Sequence, residues 1–158
     1  MKDQPLVSIC VPVYNVGQYI ERCCRSLFGQ SYNNIEYIFV DDCSPDESIN
    51  IVRKTLLDYP QRINSVQIIK HKKNKGLSGT RNSGVDASNG YFLLFVDSDD
   101  YIDPQSVELL VKQAIRDDAD VVNETNSSVT TDNALASVLD KDDPFAEDMI
   151  RSLYMRIK

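Results

Sequence analysis

The stretch Tyr91-Phe-Leu-Leu-Phe-Val-Asp-Ser-Asp-Asp100 passes directly from six apolar residues into a run holding three carboxylates. A short apolar run bounded by polar residues reads as a buried strand, and here the strand ends where charge begins. The same pattern recurs upstream. Residues 6–12 are apolar up to a proline, residues 35–40 run into Asp41 and Asp42, residues 66–69 repeat the type, and residues 120–122 open a fifth strand. Helix-length segments separate them at 18–29, 45–59, 78–88 and 104–117. Strands alternating with helices predict an α/β fold. Its central sheet is mainly parallel, joined by right-handed crossovers and covered by helices on both faces. In such sheets ligands bind beyond the carboxyl ends of the strands. The residues of interest are therefore Tyr14 and Asn15, Asp41 and Asp42, the loop after His71, and Asp97 to Asp100.

Boundary chemistry sharpens two of the helices. Ser44, Pro45 and Glu47 have the spacing of an N-cap, an N1 proline and the third-position partner of a capping box, which predicts a helix starting directly after Cys43. Asp103-Pro104 repeats the cap-then-proline signal, and Val107, Leu110, Val111 and Ile115 mark the buried face that follows. Residues 123–133 are rich in Asn, Thr and Ser and read as a loop. Phe145, Met149, Ile150, Leu153, Tyr154 and Ile157 recur at helical spacing and predict a terminal amphipathic helix, docked on the core or on a second copy of the chain. The predicted organisation is a core over 1–122 followed by a polar loop and terminal helix over 123–158, in a chain of 158 residues that suits one domain.

Acidic residues outnumber basic ones 24 to 17, so the mean field opposes a polyanion and nucleic acid is excluded as a partner. The basic run Lys70, His71, Lys72, Lys73, Lys75 reads as solvated surface, with His71, the sole histidine, as loop filler. Without a second reading for His71, no Ser-His-Asp or Cys-His constellation can be built. The four cysteines have no zinc-like spacing and no apolar stretch nears the roughly 20 residues that span a bilayer, which predicts reduced thiols in a cytoplasmic protein.

Asp97 and Asp99 stand at an Asp-X-Asp spacing around Ser98. Ionised carboxylates this close repel, and a divalent cation relieves the repulsion. Mg2+ or Mn2+ takes one or two carboxylates together with substrate phosphates and water. The alternative is a solvated acidic turn before the next helix. At the second strand end, one of Asp41 and Asp42 is placed to accept from an imide N–H or a ribose hydroxyl, Asp42 being the better placed; the other reading is a helix cap or a lysine partner. Gly76 to Gly84 lead into a helix whose N-terminus, with Arg81, suits an anionic diphosphate, while Gly79 and Gly84 equally suit close helix packing. Neither Gly-X-Gly-X-X-Gly nor Gly-X-X-X-X-Gly-Lys-Ser/Thr is present, which counts against dinucleotide oxidoreductases and P-loop enzymes.

Four motifs in order, Val7-Ser-Ile-Cys-Val-Pro-Val-Tyr-Asn15, Tyr37-Ile-Phe-Val-Asp-Asp-Cys-Ser-Pro-Asp46, Asn74-Lys-Gly-Leu-Ser-Gly-Thr-Arg-Asn-Ser-Gly84 and Leu94-Phe-Val-Asp-Ser-Asp-Asp100, resemble family 2 of the inverting glycosyltransferases, which have the GT-A fold. The resemblance covers roughly the first 120 residues. It implies transfer of a sugar from a nucleotide-diphosphate sugar, a UDP-sugar being favoured, to an acceptor hydroxyl with inversion. Pro12, Tyr14 and Asn15 would surround the base, Asp42 would bind it, Asp97 and Ser98 would face the ribose or sugar, Arg81 would supply the basic residue, and Asp99 would hold Mn2+ or Mg2+. Thr80 stands where the family usually has alanine and Cys43 where it has glycine. Family members continue further, through an acceptor region with an Asp that acts as general base. Glu147-Asp148 has the matching dipeptide, making Asp148 the candidate base of this chain, against the reading of an acidic pair at a helix start. The expectation is a chain that binds donor while lacking a full acceptor site. The implied acceptor is a saccharide or lipid-linked saccharide, which would bring the chain to the inner face of the membrane.

Two other classes share an apolar strand followed by acidic residues. A haloacid-dehalogenase-like phosphatase carries its Asp-X-Asp on the first strand with Thr or Val two places on, where this chain has Tyr101 after the fourth. A receiver-type signalling domain has its acidic pair after the first strand and its phosphoacceptor after the third.

Overall fold

A computed structural model describes residues 4–117, 121–123 and 154–157. Its order is β1 (Val7–Val13), α1 (Ile20–Phe28), β2 (Ile35–Asp41), α2 (Ser48–Leu56), a 3-10 turn (Pro60–Ser65), β3 (Val66–Lys70), α3 (Gly76–Ala87), β4 (Phe92–Phe95), α4 (Ser106–Asp117), β5 (Val121–Asn123) and β6 (Tyr154–Ile157). The sheet order is β3-β2-β1-β4-β6-β5. The first four strands run parallel, with Val7 opposite both Ile35 and Phe92. β6 is antiparallel to β4 and to β5.

The period-2 alternation of buried strands sorts the helices. Val7, Ile9, Val11 and Val13 of β1, with Tyr37 and Phe39 of β2, face Cys23, Leu27 and Phe28 of α1, Val52 of α2 and Val107, Leu110 and Val111 of α4. The alternate residues Cys10, Ile38, Val40 and Leu93 pack against Val85 and Ala87 of α3. The predicted mainly parallel sheet with helices on both faces is thus the fold. Each fully buried Val or Leu contributes about 1.5–3 kcal/mol of burial, so the central strand β1, buried along its whole length, anchors both layers. Burial pushes the thiols of Cys10 and Cys24 up to about 12, which leaves them inert in the core; Cys43 alone is exposed.

α3 lies unusually close to the sheet. A Cβ at Gly84 would sit 1.9 Å from Cys10 Sγ, so this glycine exists for helix-on-sheet approach. On the opposite side Arg62, the buried residue of the 3-10 turn, donates to the carbonyls of Phe28, Gln30, Tyr32 and Asn33 and fixes the connection from α1 to β2.

Three expectations need correction. α2 begins at Ser48, because Ser44 is engaged elsewhere: its hydroxyl donates to Val13 O and accepts from Asn15 N–H, both at 3.3 Å. Asp46, one residue ahead of the N-cap Glu47, braces the helix start, its Oδ1 accepting from Ser48 N–H at 3.2 Å and Ser48 Oγ at 2.6 Å. The helical period over Phe145 to Ile157 does not hold at its end, since Tyr154–Ile157 form strand β6 paired with Phe92–Phe95; the rest of that segment lies outside the described residues. His71 is no surface residue: it is 5% exposed and bonded at both ring nitrogens.

Candidate functional site

Every parallel strand of the central four ends at one edge, where the loops after β1, β2 and β4 and the start of α3 enclose a cleft of about 300 Å³. Pro12, Val13, Tyr14, Asp42, Asn74, Gly76, Leu77, Thr80, Asp97, Ser98 and Asp99 line it. Of the residues singled out from sequence, the fold brings Pro12, Tyr14, Asp42, Asp97, Ser98 and Asp99 together in this one cleft. Arg81 stands directly behind Asp97. Asn15 follows Tyr14 outside the lining, and Asp148 lies outside the described residues.

Two tight turns shape the mouth. Asn15 has φ 54° and Cys43 φ 66°, the left-handed region that asparagine tolerates and glycine favours. Position 43 therefore turns the chain where a glycine would turn it most easily. Tyr14 and Leu77 remain about half exposed, at 51% and 53%, and offer apolar surfaces at the rim.

Asp41 and Asp42 divide the work. Asp41 Oδ1 accepts from Ser44 N–H at 2.7 Å and Oδ2 lies 3.7 Å from Lys70 Nζ, so Asp41 is the residue that braces the turn and meets a lysine. Asp42 reaches the opposite way. Its Oδ1 accepts from His71 Nδ1 at 2.7 Å and from Lys75 N–H at 2.8 Å, and its Oδ2 from Gly76 N–H at 2.9 Å. Gly76, at φ 76°, turns that N–H toward the carboxylate. Burial pushes Asp42 up, but the hydrogen bonds from His71, Lys75 and Gly76 and the nearby Thr80 hydroxyl outweigh it and hold the carboxyl below its ordinary value. Two N–H groups at the start of α3 thus serve Asp42, where the sequence pattern suggested a diphosphate.

The acidic loop is held from two sides. Arg81 Nη2 donates to Asp97 Oδ1 at 2.8 Å, while Arg81 Nε is buried without a hydrogen-bond partner among the described residues. From α1, Arg22 Nη2 donates to Asp99 O at 3.3 Å and its guanidinium stacks 4.4 Å from the Tyr101 ring centre. The Asp99 side chain is exposed and has no hydrogen-bond or ion-pair partner among the described residues. Asp100 is pushed above its ordinary value by burial and then by Asp99 and Asp97, with Arg22 opposing.

Among the described residues no group of three or more His, Cys, Asp and Glu is gathered for a metal ion. The donor set is one ion-paired carboxylate beside one free one. That fits a hard cation which takes one or two carboxylates and completes its shell with phosphate oxygens and water. Sequence reasoning missed His71, whose partners are 29 and 12 positions away, and passed over Asn74, Leu77 and Thr80 as lining. Among the described residues no helix is long and apolar enough to cross a membrane.

Comparison with known proteins gives one answer. Residues 8–129 match the sequence model described as Glycosyl transferase family 2. The uncharacterized glycosyltransferase EpsJ of Bacillus subtilis is 42% identical over 118 residues, 75% of this chain and 33% of its own length. S. aureus TarS 1-349, solved in complex with UDP-GlcNAc, is 30% identical with a TM-score of 0.70, covering 81% of this chain and 36% of TarS. A mannosyltransferase from Pyrobaculum calidifontis, solved in complex with GDP-Man and Mn2+, reaches the same TM-score over 77% of this chain and 36% of its own, and at 21% identity attests the fold alone. The chain thus spans about a third of the length of these relatives. Neither the phosphatase nor the receiver reading finds support, and the strand order β3-β2-β1-β4 differs from the receiver order 2-1-3-4-5.

Proposed function

The chain belongs to glycosyl transferase family 2, and from that membership we propose that it forms the donor side of an inverting, metal-assisted sugar transfer from a nucleotide-diphosphate sugar, UDP-sugar being favoured. The observation that carries the proposal is the single cleft in which Pro12, Tyr14, Asp42, Asp97, Ser98 and Asp99 meet at the carboxyl ends of parallel strands.

Pro12 and Tyr14 flank the nucleobase, with Asn15 shaping the turn beside it. Asp42, ionised and with capacity left on Oδ2, accepts from an imide N–H of the base. Asp97 and Ser98 face the ribose and sugar, and Arg81 keeps Asp97 in place while its remaining donors favour the diphosphate. Asp99 would hold Mn2+ or Mg2+, which when bound stabilises the charge that grows on a leaving diphosphate. The acceptor oxygen forms its bond to the anomeric carbon as the bond to the diphosphate oxygen breaks, and a carboxylate takes the acceptor proton, a contribution worth about 100- to 10,000-fold. Asp148 is the proposed base within this sequence. The acceptor is a saccharide or lipid-linked saccharide, which places the reaction at the cytoplasmic face of a membrane, and two copies of the chain can pair there.

Calorimetry tests the donor reading. UDP should bind more tightly with Mn2+ or Mg2+ than with EDTA, and Asp99→Asn should remove the difference. Equal affinity in both conditions would remove the metal from the proposal; no affinity for any nucleoside diphosphate would remove the donor site.

A further inference from the structure

We propose that His71 is a positioning residue for the donor site: it locks the Asp42 carboxylate so that only its Oδ2 edge faces the nucleobase. The inference rests on the donor reading above and names a residue outside the cleft that this reading does not use.

The imidazole joins three elements. Its own backbone N–H donates to Asp41 O at 2.8 Å, extending the β2–β3 ladder by one residue. Nδ1 lies 2.7 Å from Asp42 Oδ1 at the end of β2, and Nε2 lies 2.8 Å from Ser83 Oγ on α3. With both ring nitrogens tied and the side chain 5% exposed, the ring has no freedom to turn. An ionised carboxylate can only accept, so Nδ1 must carry a proton and donate it to Asp42.

The consequence falls on Asp42. Oδ1 takes two donors, His71 and Lys75 N–H, which fills its two lone pairs. Oδ2 takes Gly76 N–H, and because the nearby Thr80 hydroxyl gives its one proton to Gly76 O at 2.8 Å, Oδ2 keeps acceptor capacity in a residue that lines the cleft. Lys75 and Gly76 N–H come from the first turn of α3, which moves as a unit with that helix. The imidazole is the donor that comes from the sheet. It therefore holds the carboxylate in register with β2 while Ser83 ties the same ring to α3. Removing the imidazole leaves a buried lone pair unmet and the Asp42 carboxylate tied only to the first turn of α3, no longer held in register with β2, which spoils the angle to a base without touching the diphosphate end of the cleft.

The test is calorimetry on the full chain with Mn2+, titrating UDP and, separately, pyrophosphate, which carries the diphosphate without a base. His71→Leu should weaken UDP by about tenfold and pyrophosphate by less than about twofold. His71→Asn, whose amide nitrogen occupies the place of Nδ1, should recover most of the UDP affinity. In an Asp42→Asn background His71→Leu should cost nothing more, since both act through one interaction. Equal losses for UDP and pyrophosphate, a His71→Asn variant no better than His71→Leu at equal melting temperature, or additive losses in the double variant would overturn the proposal. Should His71→Leu fail to fold, His71→Asn against Ser83→Ala decides, the first expected near wild type and the second weaker for UDP alone; the reverse order overturns it. A wild-type chain that binds pyrophosphate and UDP equally well would instead overturn the base-reading role of Asp42, and this proposal with it.

Discussion

Replacing Gly84 by alanine would push α3 off the sheet, and the size of the effect can be worked from the packing. The added Cβ would lie 1.9 Å from Cys10 Sγ, 3.2 Å from Cys10 Cβ and 3.6 Å from Val40 Cγ2. Ordinary contact between such atoms is about 3.5–4.0 Å, so roughly 1.5–2 Å must be found by moving the helix or turning the Cys10 side chain. Cys10 sits in the central strand and is fully buried, so neither adjustment is free. Overpacking of this kind costs about 1–3 kcal/mol, and the severity of the clash puts Gly84→Ala at the upper end. Better helix propensity returns about 1 kcal/mol, for a net loss of about 2 kcal/mol. That corresponds to a fall in Tm of about 4–8 °C for a domain of this size. The same displacement carries Gly76 away from Asp42 and Arg81 away from Asp97, so UDP affinity should fall as well. Thermal melts and calorimetry of Gly84→Ala, Cys10→Ala and the double variant check this, because Cys10→Ala removes the atom in conflict and should make the second substitution nearly harmless. A Gly84→Ala chain as stable as wild type, or one that Cys10→Ala fails to rescue, would refute the close-approach argument.

Arg81→Ala should weaken UDP more than uridine, since the guanidinium donors not spent on Asp97 favour the diphosphate; calorimetry with both ligands checks it, and equal losses would mean that Arg81 serves packing alone. Arg62→Ala strips the donor from four carbonyls and should lower stability by about 3 kcal/mol in urea unfolding, with the nucleotide affinity of the folded fraction unchanged. Acid should destabilise the chain. For Asp42, Asp46 and Glu36 burial raises the carboxyl, but hydrogen bonds outweigh it and hold each below its ordinary value in the folded state. Their contribution is complete above the unfolded carboxyl range near about 4 and is lost as pH falls through the lower folded values. Urea midpoints measured from about pH 6 down to about pH 2 should decline, and Glu36→Gln should flatten the decline.

What the sequence disclosed followed the reach of each signal. Strands β1, β2 and β4 are short apolar runs whose burial depends on their own composition, and the carboxylates at their ends could be placed on one edge from topology alone; β3, read as equally buried, stands at the sheet edge with none of its residues fully buried. The α2 start misled because Ser44 and Pro45 carry a local cap pattern while the serine hydroxyl is taken by Val13 and Asn15, about 30 positions away. His71 looked solvated among lysines because its partners Asp42 and Ser83 belong to other elements. β6 could not be separated from a helix by periodicity, since a four-residue strand carries too few alternations to outweigh the helical spacing before it.

The antiparallel β6 lies between β4 and β5, so the sheet is not built in the order in which the chain is made. Until Tyr154–Ile157 dock, β4 is an open edge of four largely apolar residues, Phe92–Phe95, presenting unpaired backbone groups beside the acidic loop. Such an edge is a template for any other strand that meets it. Chains shortened ahead of Tyr154 should therefore be prone to self-association during expression, and a soluble fragment should keep Tyr154–Ile157.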